Sequence, residues 1–193
     1  MILPLPAPRN PALSFRFIKI PAFLALALLM QTRTALAQPE SAAADKPATK
    51  RVAFAQHCFW TGEMLLGQIE GVVSTEAGFF KGREVTLVEY APDKVALEVL
   101  ARRAKQAGVA DAIHLDAGAA GIVAGVAGGP PLDQTYRTAP ASDQKKQIQG
   151  TPFAKLPLSA AQATKVNAFA RQNPAKAAEW LTPVQREQLK GAR

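Results

Sequence analysis

Residues 51–63 read RVAFAQHCFWTGE, and the two halves follow different rules. Arg51 to Gln56 alternates apolar and polar side chains, the period of a strand with one buried face. After Cys58, Phe59 and Trp60, Thr61 reads as the cap of a helix. Glu63 then falls in the first turn, where an acid complements the positive helix end. Met64, Leu65 and Ile69 give that helix an apolar side. A strand running directly into a helix is the start of a βα unit, and the elements that follow decide what kind.

Gly71 to Ala77 (GVVSTEA) predicts a second strand, and the glycines of Gly78-Phe79-Phe80-Lys81-Gly82 predict a turn. Glu84 to Tyr90 (EVTLVEY) is the clearest strand. Val85, Leu87 and Glu89 face one way; Glu84, Thr86, Val88 and Tyr90 face the other. Beyond Pro92, Val95, Leu97, Val99, Leu100 and Ala104 mark an amphipathic helix stopped at Gly108, and Asp111 to Leu115 a fourth strand. The order is βαββαβ, which predicts an α+β fold, a ferredoxin-like sandwich.

Residues 117–129 (AGAAGIVAGVAGG) lack the Lys-Ser/Thr of a phosphate loop and the acid of a dinucleotide site, and they read as a packing loop. The last third predicts a helical tail. Ser159 caps a helix with Ala163, Val166, Phe169 and Ala170 on its apolar side. Asn173-Pro174 and Thr182-Pro183 open two more, and Trp180 and Leu181 are expected as anchors.

The N-terminal segment has the three parts of a secretory signal. Arg9, Arg16 and Lys19 form a basic leader, Ile20 to Met30 is a short apolar run, and Ala35-Leu36-Ala37 is a small-x-small cleavage site. The run is too short to span a bilayer. The expectation is a signal peptide at 1–37, a flexible linker at 38–50, an α+β domain at 51–138 and a helical extension at 139–193. This places the protein in the periplasm or outside the cell, with no membrane span after cleavage. The leader carries four of the chain's 23 basic residues and none of its 15 acids, so net charge falls from +8 to +4. The remaining cations are scattered, without the basic, aromatic-interleaved patch of a nucleic-acid binder.

Cys58 is the only cysteine, so no internal disulfide can form. From the count alone, a reactive exported thiol and an inert buried one are equally open. Position favours reactivity: at the mouth of a helix, free backbone N–H groups and the helix dipole stabilise an anion. His57 is a strand neighbour and points to the opposite side. His57, Cys58 and His114 match no compact metal pattern, and no metal or bound cofactor is expected.

Three stretches, FAQHCFWTGE, GVVSTEAGFFKG and REVTLVEYAP, are together similar to the A-type peptide methionine sulfoxide reductases. Cys58, Phe59, Trp60 and Glu63 match that family's Cys-Phe-Trp motif with its following Glu. Gly71, Val72, Thr75 and Gly78 match its Gly-Val-x-x-Thr-x-x-Gly-Tyr strand and turn, with Phe79 in place of Tyr. Glu84 stands six residues before Tyr90, the family's spacing between its buried acid and the Tyr that ends the strand. The resemblance spans about residues 51–107.

The resemblance implies a peptide-methionine (S)-S-oxide reductase, with Cys58 and Glu84 catalytic. The Cys58 thiolate would attack the sulfoxide sulfur and a neutral acid at Glu84 would protonate the departing oxygen. Phe59, Trp60 and Phe79 would hold the substrate methyl group, and Tyr136, in Asp133-Gln134-Thr135-Tyr136-Arg137-Thr138, would bond the sulfoxide oxygen. Substrates would be oxidised methionine, free or in proteins. The product on Cys58 is a sulfenic acid. With no resolving cysteine, an outside thiol such as a thioredoxin-like partner must reduce it. His57 replaces the family's Gly, and the long segment before the family's acid is absent. From the residues alone, Glu84 is otherwise a solvated acid beside a turn, Phe59 and Trp60 ordinary core, Tyr136 a surface loop residue and Glu63 a helix-start acid. The alternative function is a non-catalytic exported scaffold that docks a partner.

Overall fold

A computed structural model describes residues 48–116 and 121–191. The expected signal peptide, the linker up to residue 47 and the first four residues of the Gly-rich stretch (117–120) lie outside the described residues. Between them the described residues form a mixed α/β arrangement of one seven-stranded sheet and five α-helices.

The opening strand, β1 (Lys50–Ala55), runs into helix α1 (Phe59–Gly67). Strands β2 (Val72–Phe80) and β3 (Arg83–Tyr90) form a hairpin, helix α2 (Leu97–Gln106) follows, and β4 (Ala112–Leu115) returns to the sheet. The strand order through these four is β4-β1-β3-β2, and every neighbouring pair is antiparallel. The stretch expected as a packing loop instead forms two short strands, β5 (Ile122–Val123) and β6 (Val126–Gly128). They are joined by Ala124 and Gly125, both at positive φ, and β6 adds in parallel to β4. A short β7 (Arg137–Thr138) closes the other edge against β2.

The hairpin is tighter than the glycines suggest. Phe79 and Phe80 belong to β2, and the turn is only Lys81-Gly82, with φ of 48° and 76°. Two left-handed residues in succession match the twist of a two-residue hairpin, and Gly82 adopts that conformation without a Cβ penalty. This turn fixes the register at Phe80↔Arg83 and Phe79↔Glu84. Phe79, Ala77 and Thr75 therefore share a sheet face with Glu84, Thr86 and Val88, while Gly78 and Glu76 share the other with Val85 and Leu87. A slip of one residue would turn Glu84 to the wrong face.

The principal core lies between the sheet and the two helices. Val52, Phe54, Leu66, Val88, Leu100 and Ile113 are fully buried there. Each such side chain contributes on the order of 1.5–3 kcal/mol by leaving water. A smaller cluster of Ala53, Ala55, Phe80 and Val85 forms the opposite face, covered in part by Leu132 and Tyr136.

The tail comprises α3 (Ala160–Phe169), α4 (Pro174–Ala178) and α5 (Pro183–Gly191). Ser159 caps α3, as the sequence predicts, and Gln162 completes a reciprocal capping box with it. The helix docks on α1 and β2 through polar contacts. Thr164 Oγ1 accepts the Thr75 N–H at 3.0 Å, and Lys165 Nζ donates to the Gly67 and Ile69 carbonyls, each at 2.9 Å. The Gly67 carbonyl is at the last residue of α1, and the Ile69 carbonyl, just beyond it, also accepts the Val72 N–H at 3.3 Å. Leu181 is a buried anchor, but Trp180 is 44% exposed and is not one.

Candidate functional site

Helix α1 starts three residues earlier than its apolar pattern indicates. Cys58, not Thr61, occupies the cap position, with extended backbone (φ −143°, ψ 113°), and the first helical bond runs from Gly62 N–H to Cys58 O. The thiol is free, half-buried, and makes no capping bond of its own. Glu84 supplies the cap: its Oε2 accepts the Phe59 backbone N–H at 2.9 Å. The carboxylate meets one of the orphan donors of the helix mouth, at the residue directly after the cysteine. Sulfur and acid are thus brought to the same helix start by two strands that pair directly, β1 and β3, held there by Gln56 N–H to Glu84 O at 3.1 Å.

Close approach of α1 to the sheet makes this possible. A Cβ on Gly62 would land on the Gln56 amide and the Thr86 hydroxyl. Gln56 is itself buried, with its nitrogen donating to the Phe54 and Val109 carbonyls and its oxygen accepting from Thr86. Gly62, Gln56 and Thr86 therefore set the height of the helix mouth over β3.

Phe59 is buried beside Ala77 and Ala139 and packs edge-on to Phe79 (ring centres 5.4 Å apart) and Trp60 (6.1 Å). Phe59, Trp60 and Phe79 thus form one apolar group next to Cys58 and Glu84.

Tyr136 does not join them. It packs on the opposite sheet face with Phe80 and Val85, and its hydroxyl donates to Glu76 Oε1 at 2.6 Å. Burial and that neighbouring carboxylate push its hydroxyl well above the usual tyrosine range. The expected contact to a sulfoxide oxygen is not available from there, because β2 and β3 stand between.

Glu63 is also corrected. It is not in the first turn of α1, which begins at Phe59, and it is 0% exposed. Oε1 accepts from Lys145 Nζ at 2.5 Å, Oε2 accepts the Lys145 backbone N–H at 2.8 Å, and the Thr75 hydroxyl donates to it at 3.4 Å. Lys145 anchors a strap, residues 139–150, that crosses from β7 over the aromatic group. Gln144 holds the strap to β2, donating to the Ala77 carbonyl at 2.8 Å and accepting the Ala77 N–H at 3.0 Å. Lys146 then places its ammonium 4.6 Å from the centre of the Trp60 ring. Nothing in the sequence flagged Gln144, Lys145 or Lys146. Their partners lie 67 to 82 residues away for the first two, and no local motif encodes the contact.

His57 is exposed beside the cysteine, whereas His114 is buried, with Nδ1 donating to the Pro130 carbonyl at 2.8 Å. Among the described residues no three His, Cys, Asp or Glu side chains converge as a metal group would.

No family model matches the chain, and no curated protein matches it. Among solved structures it is similar to methionine sulfoxide reductase A of Corynebacterium diphtheriae, at 16% identity and a TM-score of 0.32. The alignment covers 72% of this chain and 63% of that one, less than two thirds of its length. Function is therefore read from the side chains described above.

Proposed function

We propose that the protein is a thiol-dependent reductase of methionine S-sulfoxide, with Cys58 as nucleophile and Glu84 as proton donor. The observation that carries this reading is the Glu84 carboxylate on the Phe59 N–H, one residue from the free thiol. In the reaction, the Cys58 thiol passes its proton to the Glu84 carboxylate, and Cys58 sulfur bonds to the sulfoxide sulfur as Glu84 hands that proton to the oxygen. The oxygen passes to Cys58, the methionine thioether leaves, and Cys58 becomes a sulfenic acid two electrons more oxidised. Two equivalents of an external thiol, thioredoxin-like or small, then return Cys58 to the thiol and release a disulfide and water. Phe59, Trp60 and Phe79 provide an apolar surface for the S-methyl group. Tyr136 has no part, and the sulfoxide oxygen is met by Glu84 alone.

The antiparallel β4-β1-β3-β2 order, with helices after β1 and β3, supports a ferredoxin-like frame for residues 51–138. Residues 139–193 then form an extension that braces α1, and the leader directs export.

One observation favours a non-catalytic scaffold instead: the Glu84 carboxylate is already engaged as a helix cap without any substrate. The two readings separate on a simple assay. The purified protein, given free methionine S-sulfoxide and dithiothreitol, should release methionine, and Cys58→Ser should abolish the release. Equal inertness of wild type and Cys58→Ser would leave the scaffold reading standing.

A further inference from the structure

We infer that Lys146 selects sulfoxides carrying a carboxylate close to the sulfur, an inference that rests on the reductase reading of Cys58. The strap holds Lys146 between fixed points. Ala139 N–H bonds the Ala77 carbonyl at 2.9 Å, Gln144 clamps Ala77 from both sides, and Lys145 is tied to Glu63. The two adjacent ammonium groups are used differently. Lys145 Nζ is taken up by the Glu63 carboxylate and the Thr75 carbonyl, each at 2.5 Å. Among the described residues Lys146 Nζ meets only the Ser142 carbonyl at 3.2 Å and the Asp143 carboxylate at 4.0 Å, so it keeps donors to spare above Trp60.

The spare donors of Lys146 are answered by an ionised oxygen ligand, which makes shorter and stronger bonds to an ammonium than a neutral carbonyl does. The reductase reading already assigns the Trp60 ring to the methyl group of the substrate. A carboxylate that reaches Lys146 above that ring must therefore sit within a few bonds of the sulfoxide sulfur. Methionine sulfoxide with its own free α-carboxylate has that arrangement, whereas a residue inside a protein offers only peptide carbonyls.

The test uses two substrates that differ in one group: N-acetyl-methionine S-sulfoxide, which carries the carboxylate, and its C-terminal amide, which is neutral. Wild-type protein should favour the acid in kcat/KM by about tenfold, the size of one charge-assisted contact, expressed mainly in KM. Lys146→Ala should bring the ratio close to one and Lys146→Arg should restore it. Equal kcat/KM for the two substrates in the wild type, or an unchanged ratio in Lys146→Ala, overturns the inference while leaving the reductase reading in place. Turnover of neither substrate by the wild type overturns both.

Discussion

Lys145 bonds both carboxylate oxygens of Glu63, one through its side chain and one through its backbone N–H, at the only fully buried acid among the described residues. The pair ties the strap to the first turns of α1, and so ties the C-terminal half to the helix that carries Cys58. Removing one partner of a buried ion pair leaves an uncompensated charge and costs about 3–5 kcal/mol. Glu63→Gln or Lys145→Met should therefore lower the denaturation midpoint by a corresponding amount, measured in urea. The double variant Glu63→Leu/Lys145→Met, which buries no lone charge, should lose clearly less than the sum. Additive losses would show that the two side chains do not act on each other.

Glu84 has two roles that a single substitution can separate. A Gln side chain at 84 keeps an oxygen able to accept the Phe59 N–H, but it has no acidic proton to give. Glu84→Gln should fold with a stability within about 1 kcal/mol of wild type, the scale of a helix cap. Methionine release should fall by about a hundredfold or more, the usual worth of a positioned general acid. Unchanged turnover would reduce Glu84 to a cap.

The sequence was most informative where a residue's role depends on its neighbours in the chain. Alternation in Glu84–Tyr90 gave β3 and its faces, and Ser159 gave the start of α3, because strand pleat and helix cap are local patterns. Cys58 at a helix mouth could be read from its neighbours, whereas Glu84 was singled out only by the family resemblance, the residues alone leaving it a solvated acid beside a turn. The misreadings came from contacts made at a distance. Thr61 looked like the cap because it is a better capping residue than cysteine, yet a carboxylate from β3 serves α1 instead. Glu63 read as a helix-start acid because its partner Lys145 lies 82 residues on. Tyr136 lies on the far face because the two-residue turn at Lys81-Gly82 carries Phe79 and Glu84 to the helix side and Gly78 to the other.

Gly62 is the narrowest point between α1 and the sheet. Alanine is a better helix former than glycine, so on propensity alone Gly62→Ala should gain up to about 1 kcal/mol. Here its methyl group would meet the Gln56 amide and the Thr86 hydroxyl, both buried and hydrogen-bonded. Overpacking of this kind costs about 1–3 kcal/mol, so the net change should be destabilising. It should also lift the helix mouth from β3 and slow turnover. A thermal midpoint at or above wild type would show that α1 shifts to accept the methyl without loss.

Lys165 supplies a pH signature. Burial lowers its ammonium from the ordinary 10.5 to about 8, with the charge of Glu70 acting weakly the other way. Below about pH 8 the group is protonated in both folded and unfolded chains. Between about 8 and 10.5 the unfolded chain binds more protons than the folded one, so stability rises with pH across that window. The sign is opposite to that of a lysine stabilised by an ion pair. Other groups titrate in the same range, so the quantity to measure is the difference between wild type and Lys165→Met. That difference in urea midpoint should move in favour of wild type from pH 8 to pH 10. A difference that is flat with pH would mean that the bonds to the Gly67 and Ile69 carbonyls fully offset the burial of the charge.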